Sequence, residues 1–284
     1  MSQPTIEMIT MHDNEPIQTA RFDPQIEPKG VVQIIHGFGE YMGQYKEVAE
    51  FFVANDYACV FHEQRGFGDM PHKTQKQRKL ERGLSPGYPY FLNDTKTIRN
   101  KIDNWYPNKD VFLFGHSMGG NIAINYLLEN PNMNYKKAIL EAPWLRLYKP
   151  LPGPAMSLVR LLGRISGKLA VSAKINPDHI TRNKDIISAL REDQIFHDRI
   201  SLQLFAEIID AGENALQNAA KFPIPALLLC PGMDKIVCPQ AIRIFSEANP
   251  QKFTLLEYPD GYHCLHSDII NKEVMKAMLE FITI

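Results

Sequence analysis

The 284 residues carry 31 Lys plus Arg against 32 Asp plus Glu, with 44% apolar and 22% charged side chains. This balance allows one large core and gives no electrostatic reason for a nucleic-acid partner. Four cysteines without a CxxC spacing make no disulfide framework, the first residues lack the basic-then-apolar pattern of a secretory leader, and no window approaches the ~18 apolar residues of a spanning helix, so a reducing cytoplasm is the expected address.

In chain order, Thr5 to Thr10 and Ile17 to Phe22 flank a polar turn and read as a hairpin. Val31 to Ile35 is a β-branched run that stops at His36-Gly37, and Gln44 to Asn55 follows with helical spacing. Tyr57 to Phe61 is a second apolar run. Tyr90 to Trp105 reads as a helix, Val111 to Phe114 as a buried strand and Met118 to Glu129 as a helix. Ala138 to Leu140, Ala226 to Cys230 and Phe253 to Tyr258 read as strands, and Asp268 to Ile284 as a closing helix. Short apolar strands that do not alternate, separated by helices, predict an α/β fold with a mostly parallel sheet covered on both faces.

The rhythm breaks between Pro143 and Ala226, where no strand is visible and helical spacing appears over Met156 to Ile165 and Ile200 to Ile209. The expected organisation is therefore a core of residues 1–143 and 222–284, with an all-helical cap over 144–221 above the strand ends.

Chemistry concentrates in Gly115-His116-Ser117-Met118-Gly119. Two glycines around Ser117 permit the sharp strand-to-helix turn that lifts a nucleophilic hydroxyl out of the sheet. A serine needs a base to take its proton, and the order Ser, acid, His selects His263, in Asp260-Gly261-Tyr262-His263, with His266 as its rival. The acid that fixes the imidazole is Asp234, just past the penultimate strand; Glu141 is the alternative, and an Asx-turn is the purely structural reading of Asp234. Two backbone N–H groups are expected to hold the oxyanion: that of Met118, and that of Phe38 in His36-Gly37-Phe38-Gly39-Glu40.

Those two motifs, with Gln64-Arg65-Gly66-Phe67-Gly68, the Asp234 and His263 loops and the segment His197 to Ser201, together resemble the monoacylglycerol lipase and lysophospholipase branch of the α/β hydrolases. The likeness runs from about residue 5 to the C-terminus. It departs at Glu63 to Gly68, where that branch often has Asp-His-x-Gly-His-Gly, and at Glu141-Ala142-Pro143-Trp144. The resemblance implies a small-molecule ester with one acyl chain as substrate, cleaved through an acyl-enzyme with no metal or organic cofactor. An amidase or proline iminopeptidase would use the same three residues, and a ligand-binding protein on this fold is a further alternative. The apolar stripe of Met156 to Ile165, with Arg160, Arg164 and Lys168, fits either packing on the core or peripheral contact with a membrane.

Overall fold

The computed structural model describes residues 3–284. Its strands are β1 (Thr5–Thr10), β2 (Pro16–Phe22), β3 (Gly30–Ile35), β4 (Tyr57–His62), β5 (Asp110–His116), β6 (Lys137–Glu141), β7 (Ala170–Ser172), β8 (Arg199–Ser201), β9 (Ala226–Pro231) and β10 (Phe253–Tyr258). Its α-helices are α1 (Lys46–Ala54), α2 (Gln75–Glu81), α3 (Tyr88–Trp105), α4 (Met118–Glu129), α5 (Gly153–Ile165), α6 (Lys184–Glu192), α7 (Leu202–Gln217), α8 (Pro239–Glu247) and α9 (Asn271–Thr283).

Eight strands form one sheet in the order β1-β2-β4-β3-β5-β6-β9-β10. The β1–β2 and β2–β4 pairs are antiparallel, and every other pair is parallel. The central strands are buried along their whole length, which is why they read as apolar runs. Successive side chains of β3 nevertheless go to opposite layers: Val31 and Ile35 pack with α3, α4, α7 and α8, while Val32 and Ile34 pack with α1 and α9. The order reverses at β3, whose neighbours are β4 on one side and β5 on the other. Such a reversal opens a crevice at the carboxyl ends of the strands.

The segment between β6 and β9 is not all-helical. β7 and β8 pair in a short antiparallel ladder that joins Ala170 to Ser201 and Ser172 to Arg199. Its helices also differ in extent from the expected ones. Residues 199–201 are strand, and α7 begins only at Leu202, where the Ser201 hydroxyl accepts the Leu204 N–H as its cap. Helix α7 packs on α4 as well as on α5, so it belongs as much to the core layer as to the covering segment. Helices α2, α6 and α8 were not expected.

Candidate active site

Each residue singled out in the sequence follows a parallel strand at its carboxyl end: Phe38 after β3, Ser117 after β5, Asp234 after β9 and His263 after β10. Ser117 sits at φ 52° and ψ −115°, a conformation that L-residues rarely adopt and that costs on the order of 1–3 kcal/mol. Its backbone is anchored on both sides. The N–H donates to Glu141 O at 3.0 Å, and its carbonyl accepts the N–H groups of Asn121 at 3.0 Å and Trp144 at 2.9 Å. The turn can sit against the end of β3 because residue 119 is glycine: an added Cβ there would stand 2.0 Å from Ile35 O.

The structure brings the three side chains together. His263 Nε2 lies 2.9 Å from the Ser117 hydroxyl oxygen, and Nδ1 lies 2.6 Å from Asp234 Oδ2. All three are buried, with 5% or less of each residue exposed. Asp234 satisfies both readings made of it. Oδ1 accepts the N–H groups of Ile236 at 2.7 Å and Val237 at 3.0 Å, as in an Asx-turn, which leaves Oδ2 for the imidazole.

Among the described residues, the N–H groups of Phe38 and Met118 donate to no protein acceptor. Met118 opens α4, so the positive end of that helix lies beside Ser117. The Phe38 turn is held by His36: its Nε2 accepts the Gln64 N–H at 2.9 Å, which leaves Nδ1–H to donate to Gly37 O, also at 2.9 Å. Gly39, at φ 78°, has His197 O where a Cβ would go, so only glycine carries the chain past the covering segment there.

Below these residues lies a buried polar cluster that the sequence did not reveal as one. Glu40 accepts the Gly37 N–H at 2.6 Å and the Tyr45 hydroxyl at 2.5 Å, and its Oε2 lies 3.1 Å from His116 Nδ1. His266 Nδ1 lies 2.9 Å from Glu141 Oε1, and its ring stacks on Tyr45 at 4.7 Å. Burial pushes both carboxyls up and both imidazoles down, but the ion pairs outweigh it: Glu40 and Glu141 are held below, and His116 and His266 above, their ordinary values. Glu40, His116 and Cys264, and likewise His116, Glu141 and His266, are close enough to surround a cation. The mutual hydrogen bonds already occupy these atoms. Glu40 and His116 stood inside the two glycine motifs, so position in the motif was the available signal.

The Glu63–Gly68 departure has its own structure. Arg65 spans Asp94 (2.5 and 2.7 Å) and Asp13 (2.7 and 2.8 Å), tying α3 to the N-terminal hairpin. Phe67 packs edge-on against Phe38 at 5.5 Å and stacks on His197 at 5.2 Å.

Above Ser117 opens a cavity of about 460 Å³ whose walls include Trp144, Leu147, Val159, Ile175, Leu202 and Phe205. A largely apolar chamber beside a serine–imidazole–carboxylate chain suits the attack of a hydroxyl on an acyl carbonyl.

Comparison with known proteins gives the same reading of the fold. A family model described as Serine aminopeptidase, S33 matches residues 26–269. An uncharacterized abhydrolase domain-containing protein of Dictyostelium discoideum is 27% identical over 95% of this chain, and a putative monoglyceride lipase of Schizosaccharomyces pombe is 28% identical over 86%. The chain spans 28% and 64% of the lengths of those two relatives. The crystal structure of Paleococcus ferrophilus monoacylglycerol lipase superposes with a TM-score of 0.82 at 27% identity, covering 93% of this chain and 97% of that one. The α/β-hydrolase sheet, the matched model and these relatives agree: the chain belongs to the S33 serine aminopeptidase family of α/β hydrolases.

Proposed function

We propose that this enzyme hydrolyses an ester of a single acyl chain, of the monoacylglycerol or lysophospholipid type, through Ser117, His263 and Asp234. The observation that carries the reading is His263, whose two nitrogens reach the Ser117 hydroxyl and the Asp234 carboxylate at once. Ser117 attacks the carbonyl as His263 takes its proton, and the Asp234 carboxylate stabilises the imidazolium that results. The oxyanion is received by the N–H groups of Phe38 and Met118, a contribution of about 3–4 kcal/mol for one such donor. His263 then protonates the leaving alcohol, and water releases the acyl chain by the same steps. The ester reading is favoured over the amidase reading by the cavity wall. Its carboxylate, Glu40, is already engaged by His116 and Tyr45, and Glu207 and Glu213 are bound to Tyr88 N–H and Arg146 instead of facing an amine.

We place the cap at residues 144–221 and assign it peripheral membrane contact through α5. Leu158, Leu161 and Ile165 are 55%, 55% and 72% exposed, while Met156 is buried, so much of the apolar stripe faces outward instead of packing on the core. No helix of the described residues is long and apolar enough to cross a membrane. Four free thiols fit the cytoplasmic assignment.

The test is labelling by a fluorophosphonate probe together with turnover of a monoacylglycerol. Both are expected in the wild type and absent in Ser117→Ala. Equal labelling of the two proteins rejects Ser117, and faster cleavage of an aminoacyl-arylamide than of the ester rejects the substrate class.

A further inference from the structure

The apolar cavity has a basic mouth. Lys149, Lys174 and Lys235 all line it, from three separate segments, in a chain with 31 basic against 32 acidic residues overall. None of their ammonium groups makes an ion pair or hydrogen bond among the described residues, although acidic partners engage many of the other surface cations.

Two of the three flank a bridge that joins their segments. Leu147 and Val237 form an antiparallel bridge, framed by Tyr148 N–H to Ile236 O at 3.0 Å and Cys238 N–H to Arg146 O at 2.9 Å. Lys149 and Lys235 each lie two residues from this bridge in sequence, and both line the cavity. Lys174 is the third. Its backbone is in the left-handed region at φ 54°, held by a 3.1 Å bond from its N–H to the Ser172 hydroxyl, which itself donates to Asp198. A β-carbon in that region carries strain, and strain of this kind gathers at ligand clamps.

We propose that these three lysines receive a phosphate on the head group of the ester, so that the favoured substrate is a single-chain acyl ester bearing phosphate instead of a neutral glyceride. The acyl chain enters the apolar chamber, and the phosphate meets the three ammonium groups at its rim. The reaction this implies rests on the ester reading above. The binding preference does not, and it is measured without turnover.

Calorimetric titration with decyl phosphate and with decanol reads the preference directly. Decyl phosphate is expected to bind about tenfold more tightly at low salt, the advantage shrinking as added salt screens exposed charges. The triple substitution Lys149→Gln, Lys174→Gln, Lys235→Gln is expected to bring the ratio of the two affinities close to one. Lys96→Gln, Lys101→Gln, Lys272→Gln, with the same change of net charge on α3 and α9, is expected to preserve it. A ratio that is already near one in the wild type, or that survives the rim substitutions, overturns the proposal. So does inorganic phosphate binding as tightly as decyl phosphate, because the lysines would then serve a free anion. With 1-decanoylglycerol 3-phosphate and 1-decanoylglycerol as substrates, the ratio of kcat/KM is expected to follow the affinity ratio. Absence of turnover for both, with the affinity ratio intact, rejects the ester reading and leaves the phosphate site standing.

Discussion

His266 is paired with Glu141, at 2.9 Å from Nδ1 to Oε1 and with its own backbone N–H bonded to the same oxygen at 3.1 Å. The two residues that rivalled His263 and Asp234 are thus engaged with each other, in a fully enclosed ion pair under Tyr45. Glu141→Gln is expected to destabilise the protein by about 3 kcal/mol, because it leaves an imidazolium or a desolvated imidazole without its counterion. Per folded molecule it should change kcat less than tenfold. Asp234→Asn is expected to keep the fold and to lower kcat by about 10³–10⁴, since the amide stabilises the wrong tautomer of His263. Denaturant titration beside steady-state kinetics separates the two effects, and a large loss of kcat in Glu141→Gln with little in Asp234→Asn would place the acid at position 141.

Part of the acid sensitivity is expected to come from His197, in addition to His62, whose burial pushes its pKa from 6.5 down to about 3. His197 Nε2 bonds to Gly66 O at 3.0 Å, and its Nδ1 accepts the Arg199 N–H at 3.3 Å, so the neutral ring fills both places. Burial pushes its pKa from 6.5 down to about 4, with nearby Arg82 and Arg199 adding to the effect of desolvation. The unfolded chain therefore binds the extra proton first as pH falls through 6.5, and stability is lost progressively down to about pH 4. The full loss is about 3 kcal/mol. Urea unfolding at pH 7 and pH 4 should show a smaller drop for His197→Gln than for the wild type. His266 acts in the opposite sense. Its raised pKa gives stability that is complete below 6.5 and declines as pH rises through the folded value.

Arg65 carries the departure at Glu63–Gly68, and its removal isolates a carboxylate. The Asp94 side chain is 1% exposed, and the guanidinium forks onto both of its oxygens. Arg65→Met is expected to cost about 3–5 kcal/mol by leaving that charge buried and unpaired. Adding Asp94→Asn should recover part of the loss. Simple addition of the two single effects would mean that the pair is not coupled.

Gly119→Ala tests the elbow. The new methyl group would meet Ile35 O at 2.0 Å and His36 O at 2.7 Å, so either β3 or the start of α4 must move. The expected result is a lower melting temperature together with loss of fluorophosphonate labelling, since the Phe38 and Ser117 turns share that contact. Normal labelling would show that the elbow tolerates the shift.

What the sequence made legible follows from where energy is concentrated. The central strands are apolar on both faces, and the residues of the site sit at their carboxyl ends in glycine-marked turns, so both could be read from composition and order. Helix α2 has no buried residue and therefore no apolar period. Its one signature is the capping box of Thr74 and Gln77, a local pattern that carries no core. Strand β7 is three residues long, with Val171 and Ser172 exposed, and it forms only because β8 runs beside it. Helix α6 buries only Ile187. Glu40 and His116 were visible as letters in their motifs, but their pairing depends on β3 and β5 being neighbours, which is a property of the sheet.

The two crowded glycines divide the protein by how it can be altered. At Gly39 and Gly119 the obstacle to a larger residue is a carbonyl of the main chain, so no compensating change of a neighbouring side chain can make room. The chamber walls include Leu147, Val159, Ile175 and Phe205, apolar residues whose side chains can be enlarged or trimmed one at a time. If the proposed acyl ester is the substrate, engineering for a different acyl length belongs in those walls, and a library that spares both turns is expected to keep fluorophosphonate labelling while its preference for chain length drifts.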